Sequence, residues 1–335
     1  MKIGNVDTDQ TVMIIAEIGN NHEGDVAFAR DMVVAAAEAG ADAVKFQTIE
    51  PRKLVAADQT ARIAQLERFQ LSRETFEDLA KTAAANNVMF LSSVFSLDAV
   101  DWLGDIMPAF KIASGDMTYT RLLEKVALTG KAILLSTGAA DLDEVRTAQQ
   151  TIEDVWARTG VRPGLAILHC TVNYPTAAGD ANLSALADLA TLGVTVGYSD
   201  HTLGNTAALL SVGMGARVIE KHFTLDNNHS DFRDHAVAAD PAGFAELVNQ
   251  VREAEMIIGS GGKRRLPCEV EAAPGVRRSV HAARDIAAGT KLTAEDTICL
   301  RPEGGITPAK EADLIGRTAN VAIPAGTIID ENAIT

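Results

Sequence analysis

The sequence predicts an α/β protein: a (β/α)8 barrel over residues 1–260, a linker over 261–277 and a small, mainly β domain over 278–335. Three observations carry this expectation. Short apolar runs alternate with helix-like stretches across the first 225 residues. About eight strand–helix units in about 260 residues match the usual size of such a barrel. The alternation then stops after Gly259. An open, doubly wound sheet is the competing arrangement, but no GxGxxG follows the first run.

In order, the runs are VMIIAEIG (12–19), AVKFQTI (43–49), VMFLSSVF (88–95), AFKIASG (109–115), AILLSTG (132–138), LAILHCT (165–171), TVGYSD (195–200) and VIEKHFTL (218–225). Their length and their Val, Ile and Phe content suit parallel strands buried on both faces. The stretches between them carry helix punctuation. Asp141 and Glu144 have the spacing of a capping box, and Asp240 before Pro241 places a cap ahead of a proline at the first helical position. Gly40, Gly193 and Gly259 stand where helices stop. Residues 260–277 mix Gly, Pro and charge without a period and read as a linker. From Arg278 onward the pieces are short, β-like and separated by turns, and IAAGT (286–290) is echoed by IPAGT (323–327). A module of about 58 residues is near the lower limit for an independent core.

The composition is that of an ordinary globular chain, 47% hydrophobic and 22% charged, which excludes disordered and fibrous classes. A net charge of −15 argues against nucleic acid or an anionic membrane as partner. An anionic substrate therefore needs a local cluster of cations. The three cysteines, Cys170, Cys268 and Cys299, include no close-set pair, so neither a disulfide framework nor a CxxC metal knuckle is expected. The first apolar run is broken by Glu17 and is too short for a signal peptide or a membrane span. The expected location is the cytoplasm.

Function is legible in where polar residues interrupt the strands. Lys45 and Gln47 are two apart, as are Ser199 and His201, and Glu220 and His222. In a strand such pairs share a face. Glu17, Ser93, Lys111, Ser114 and Ser136 extend the pattern, mostly towards the C-terminal ends of their runs. In a barrel those ends converge on the mouth where chemistry is sited. A lone strand serine usually bonds backbone and a lone histidine is usually a satisfied core residue, but buried Lys and Glu are rare without partners. Two lysines among several hydroxyls make an anion site for phosphate or carboxylate. His201 and His222, on strands seven and eight, are expected one strand spacing of about 4.8 Å apart. That is within reach of one divalent ion that keeps open positions. These residues alone indicate a metal-dependent barrel enzyme acting on a phosphorylated small molecule.

The motifs IAEIGNNHEGD (15–25), GADAVKFQT (40–48), FKIASGD (110–116), LLSTGAA (134–140), LHCTVNYPT (168–176), GYSDHTLG (197–204) and EKHFTLD (220–226) resemble those of the sialic acid (N-acetylneuraminate) synthases and their legionaminate and pseudaminate relatives. RRSVHAARDIAAGTKLT (277–293), RPEGGITP (301–308) and LIGR (314–317) resemble the antifreeze-like SAF domain that follows the barrel in that family. The resemblance covers nearly the whole chain. It implies condensation of phosphoenolpyruvate with an N-acylated sugar aldehyde of N-acetylmannosamine type, with water, releasing phosphate and making a nine-carbon 2-keto acid. It also implies that His201 and His222 hold a divalent metal, manganese with magnesium or cobalt as alternatives, and act with Glu17 and Glu220 in catalysis. Lys45, Gln47, Ser93, Lys111, Ser114, Ser136 and Ser199 match the phosphoenolpyruvate set. Tyr174, Asp234 and Arg301 match sugar contacts, with Arg301 supplied by the small domain. A domain-swapped homodimer follows from the same resemblance.

This chain departs from the pattern on the sugar side. Val172 stands where the best-known members have Asn, SDFRDHAVAADP (230–241) replaces a Gly-Pro-Asp approach to Asp234, and the stretch 50–69 is short. The acceptor is thereby left open while the phosphoenolpyruvate half is not. A deoxy-octulosonate or deoxy-heptulosonate phosphate synthase is the enzymatic alternative, disfavoured by the antifreeze-like domain. An inactive sugar-binding relative is the other, disfavoured by retention of Glu17, Lys45, His201 and His222.

Overall fold

The computed structural model describes residues 1–335. The chain divides into two compact units, Met1–Gly259 and Ser260–Thr335. In the first, eight parallel strands close into a barrel: β1 (Met13–Gly19), β2 (Ala43–Thr48), β3 (Met89–Val94), β4 (Ala109–Ile112), β5 (Ala132–Ser136), β6 (Leu165–Cys170), β7 (Thr195–Asp200) and β8 (Val218–His222). They follow chain order round the ring, with β8 closing on β1. Each predicted run holds one strand, but two of the expected strand residues lie just beyond an end. Ser114 opens a turn after β4, which breaks away because the Asp116 N–H bonds the Ala113 carbonyl at 3.0 Å. His201 follows β7, where Asp200 Oδ1 accepts the Thr202 N–H at 2.8 Å and ends the strand in an Asx turn.

Side chains alternate along a strand, so every second residue enters the barrel. At the strand starts that interior is apolar: Met13, Ile15, Ala43, Leu91, Leu134 and Leu168 are wholly buried. Ile3 and Val6 of a short N-terminal antiparallel pair (Lys2–Ile3 with Val6–Asp7) belong to the same cluster and close it. Two residues further on, the interior turns polar. Ile15 gives way to Glu17, Ala43 to Lys45, Leu91 to Ser93, Ala109 to Lys111, Leu134 to Ser136 and Val218 to Glu220. Gly197 on β7 is a packing requirement, since a Cβ there would lie 2.6 Å from the Val218 carbonyl oxygen of β8. The alternate residues, among them Ile14, Val44, Phe90, Phe110 and Ile133, form the larger core with the helices.

The helix-facing side of β7 and β8 also holds a buried ion pair. Lys221 Nζ donates to Asp200 Oδ2 (2.8 Å) and to the carbonyls of Thr202 (2.6 Å) and Gly204 (2.9 Å). Helix ends behave as their residues dictate. The Asp141–Glu144 capping box forms, Asp240 caps the helix Pro241–Ile258, and Gly40, Gly193 and Gly259 take positive φ beyond helix ends. Two extra helices, Pro51–Leu54 and Thr60–Phe69, precede the barrel helix Arg73–Ala85. No helix is long and apolar enough to cross a membrane.

The second unit is less regular than the sequence pattern suggests. Its antiparallel ladder comprises β9 (Ser279–Ala282) and β10 (Thr297–Leu300), and single bridges supply the remaining pairing. One bridge joins the two repeats: Ile286 and Ile323 exchange backbone hydrogen bonds at 2.9 and 2.8 Å. Val280, Leu292, Leu314 and Ile329 are buried between these pieces. The stretch read as a linker is tied into this unit. The Glu303 N–H bonds the Pro274 carbonyl at 2.7 Å, and Arg265 and Arg277 pair with the Glu303 carboxylate.

Candidate active site

A cavity of about 150 Å3 opens at the C-terminal strand ends. Among the residues singled out from the first unit, it gathers the charged set Glu17, Lys45, Lys111 and Glu220, the hydroxyls of Ser93, Ser114, Ser136 and Ser199, and Gln47, Tyr174, His201 and His222. Strand register explains the gathering. Glu17 is level with Lys45 on one side and His222 on the other, Ser93 with Gln47 and Lys111, and Ser199 with Glu220.

Two cations and two carboxylates share the floor, each 7% exposed or less. Lys45 Nζ lies 2.5 Å from Glu17 Oε2 and 3.6 Å from Glu220 Oε2, and it donates to Ser93 Oγ at 3.1 Å. Lys111 Nζ lies 3.8 Å from Glu220 Oε1, which also accepts the Ser199 hydroxyl at 2.9 Å. The environments separate the two acids. Burial raises Glu17 above the usual carboxylate range, with Lys45 opposing and Glu220 reinforcing. For Glu220, burial is outweighed by Lys111 and Lys45, and its value falls to about 2. Burial also lowers Lys111, against the pull of Glu220. For Lys45 the two carboxylates overcome burial and raise it. One acid with raised proton affinity beside one held ionised is the arrangement proton-transfer sites use.

At the mouth the His201 and His222 rings stand 5.3 Å apart, and Tyr174 lies 4.0 Å from the His201 ring. Burial, together with the neighbouring imidazole, lowers His201 to about 4, and burial lowers His222 as well, so both rings are neutral near pH 7. His201 Nδ1 donates to the Thr171 carbonyl at 2.8 Å, which leaves the lone pair on Nε2. His222 Nδ1 is buried without a partner. Two neutral imidazoles suit a divalent cation, and no third His, Cys, Asp or Glu joins them. Such a cation would complete its coordination with substrate and water oxygens. The donor set fits that use.

Asp234 does not line the cavity. It is buried; its Oδ1 makes no hydrogen bond but lies 3.4 Å from Arg233 Nε, and the Arg233 guanidinium lies 4.7 Å from the Tyr174 ring centre. Arg301 is an exposed residue of the second unit. Sequence reasoning missed Cys170, which lines the cavity and whose thiol is raised by burial. Its position two residues after Leu168 on an interior face was the available signal. It also missed Arg233 and Asn20. The latter donates its side-chain amide to Gln47 Oε1 at 2.8 Å.

The closed barrel with buried acids, lysines and imidazoles at its strand ends defines a barrel enzyme carrying a small second unit. A model of the NeuB family matches residues 32–263, and one of the SAF domain matches 277–335. The chain is 37% identical over 337 residues to the N,N'-diacetyllegionaminic acid synthase of Legionella pneumophila, covering 96% of this chain and 94% of that protein. It is 33% identical to the pseudaminic acid synthase of Campylobacter jejuni, with 99% of each chain covered. Among solved structures, the N-acetylneuraminic acid (sialic acid) synthetase of Leptospira borgpetersenii superposes with a TM-score of 0.76 at 31% identity, covering 81% of this chain and 94% of that one. The chain belongs to the NeuB family and ends in a SAF domain. The resemblance carried by the motifs is borne out.

Proposed function

We propose that the protein is a nonulosonic acid synthase. It joins phosphoenolpyruvate to an N-acylated amino-sugar aldehyde of N-acetylmannosamine type and, with water, yields phosphate and a nine-carbon 2-keto acid. The observation that carries the reading is the buried Lys45–Lys111 pair among serine hydroxyls, beside two carboxylates of opposed acidity. In a chain of net charge −15 this pocket concentrates the cations that a phosphorylated carboxylate requires. Relatives named for diacetyllegionaminic and pseudaminic acids support an amino-sugar acceptor.

In this reading Lys45, Lys111, Gln47, Ser93, Ser114, Ser136 and Ser199 bind and orient phosphoenolpyruvate. Glu17 holds and passes a proton around the attacking water. Glu220 stays ionised and keeps both lysines aimed into the cavity. Tyr174 faces the acceptor in the cavity, and Asp234 contacts the part of it that extends beyond the cavity. His201 and His222 would hold the divalent ion, manganese with magnesium or cobalt as alternatives, which when bound polarises the acceptor carbonyl. The reading extends to a cytoplasmic homodimer with exchanged domains, in which Arg301 contacts the acceptor.

The test is phosphate release from phosphoenolpyruvate across a panel of N-acylated aldoses, with products weighed by mass spectrometry. A nine-carbon acid is expected with at least one N-acylated six-carbon aldose. Lys111→Ala should raise the Michaelis constant for phosphoenolpyruvate, and Glu17→Gln should lower kcat. Phosphate release with no member of the panel, or release only with sugar phosphates lacking an N-acyl group, overturns the reading.

A further inference from the structure

We infer that Asn20 is a positioning residue, whose side-chain amide holds the Gln47 carboxamide in the orientation that presents N–H rather than C=O to Glu17. The inference rests on the catalytic role proposed above for Glu17.

The chain of hydrogen bonds has one consistent direction. Lys45 Nζ pairs with Glu17 Oε2 at 2.5 Å, and in the ionised form of that ion pair the carboxylate only accepts, so the edge of Gln47 that meets it is its amide nitrogen. Gln47 Nε2 does lie 2.8 Å from Glu17 Oε1. That leaves Gln47 Oε1 on the opposite edge, where it needs a donor. Asn20 Nδ2 supplies one at 2.8 Å. Asn20 is 5% exposed and does not line the cavity, so it acts through Gln47 and not on substrate.

Local backbone geometry puts Asn20 in place. Pairing of β1 with β2 slips between Glu17 and Gly19, and the extra residue re-aims the chain as bulges do. Gly19 takes φ +55, and the Asn21 N–H bonds the Ile18 carbonyl at 2.9 Å, closing a turn that folds Asn20 back over Gln47. A side chain at position 19 is barred twice. Its Cβ would meet Glu17 Oε1 at 3.1 Å and Gln47 Nε2 at 3.2 Å, in a backbone conformation that disfavours it. The turn brings the third member of the relay within reach and keeps its middle clear.

Asn20→Leu removes the donor. Asn20→Asp keeps the shape but can only accept, so it draws the Gln47 amide nitrogen to itself and turns the carbonyl towards Glu17. Both are measured in the parent and in a Gln47→Leu background, at saturating phosphoenolpyruvate. In the parent, Asn20→Leu should lower kcat by about three- to tenfold, the worth of one neutral hydrogen bond. Asn20→Asp should lower it further. The Michaelis constant for phosphoenolpyruvate, set mainly by the lysines with Gln47 a lesser contact, should rise by less than kcat falls. With Gln47 already leucine, Asn20→Leu should change kcat no further. Parent-like kcat in Asn20→Asp, or the same loss from Asn20→Leu in both backgrounds, overturns the inference. Glu17→Gln separates this from failure of the underlying reading. If that variant keeps full turnover, the role of Glu17 is wrong; if it is inactive while the Asn20 variants are silent, only the positioning role is.

Discussion

Replacing Lys221 with methionine strands a carboxylate where water does not reach. Lys221 and Asp200 are 1% and 0% exposed, and the ammonium serves three acceptors at once. Methionine fills much the same space but donates nothing. Asp200 then loses its counter-ion, and the Thr202 and Gly204 carbonyls lose a donor. Breaking one side of a buried pair costs about 3–5 kcal/mol, a large share of the roughly 5–15 kcal/mol that holds a domain folded. At a urea slope of about 3 kcal/mol per molar, the unfolding midpoint should fall by about 1–1.7 M. Adding Asp200→Asn removes the stranded charge while leaving an oxygen for the Thr202 N–H. It should recover about 1–3 kcal/mol. Urea titrations of parent, single and double variants, followed by circular dichroism, measure both steps. A single variant within about 1 kcal/mol of parent would refute the reasoning, as would a double variant no better than the single.

Three further outcomes are expected. His22 is 1% exposed, and burial lowers it from 6.5 to about 4. The unfolded chain thus takes up a proton that the folded chain refuses, and stability falls between pH 6.5 and 4 by up to about 3 kcal/mol. His22→Asn, which keeps an acceptor for the Gly24 N–H, should flatten that slope in melting curves at pH 7, 6 and 5, and an unchanged slope rejects the cause. Chelation should abolish phosphate release and manganese restore it, while His201→Ala or His222→Ala should lose bound metal by elemental analysis; a metal-free preparation with full turnover excludes the ion. Mixing an Arg301→Ala chain with a Glu17→Gln chain should regain activity through dimers that hold one intact site, and no recovery despite proven subunit exchange argues for sites closed within one chain.

The barrel and most of its cavity were legible because a strand has a period of two. Once Ile15 and Ala43 are read as interior, Glu17 and Lys45 must be interior too, and their charge marks the mouth. Cys170 obeys the same rule but went unread, since a thiol in an apolar run looks like core. Asn20 was out of reach for a different reason. The bulge after Glu17 breaks the period, and only Gly19 hints at it. Ser114 and His201 read as strand residues because composition does not show where a turn hydrogen bond ends a ladder. The second unit resisted for a topological reason: Ile286 pairs with Ile323, far along the chain, and such distant pairing leaves no local pattern.

The barrel has a floor and no rear exit. Ile3 and Val6 close the strand starts, and the ring of apolar side chains above them offers no polar passage. Molecules therefore come and go by the rim, where Val172 is 52% exposed, while Lys45 and Lys111 lie below at 2–3%. Traffic through a single entrance is last in, first out. For the proposed reaction this predicts compulsory order, with a small anion seated on the lysines loading before a sugar-sized partner covers the rim, whichever sugar that is; product-inhibition patterns check it.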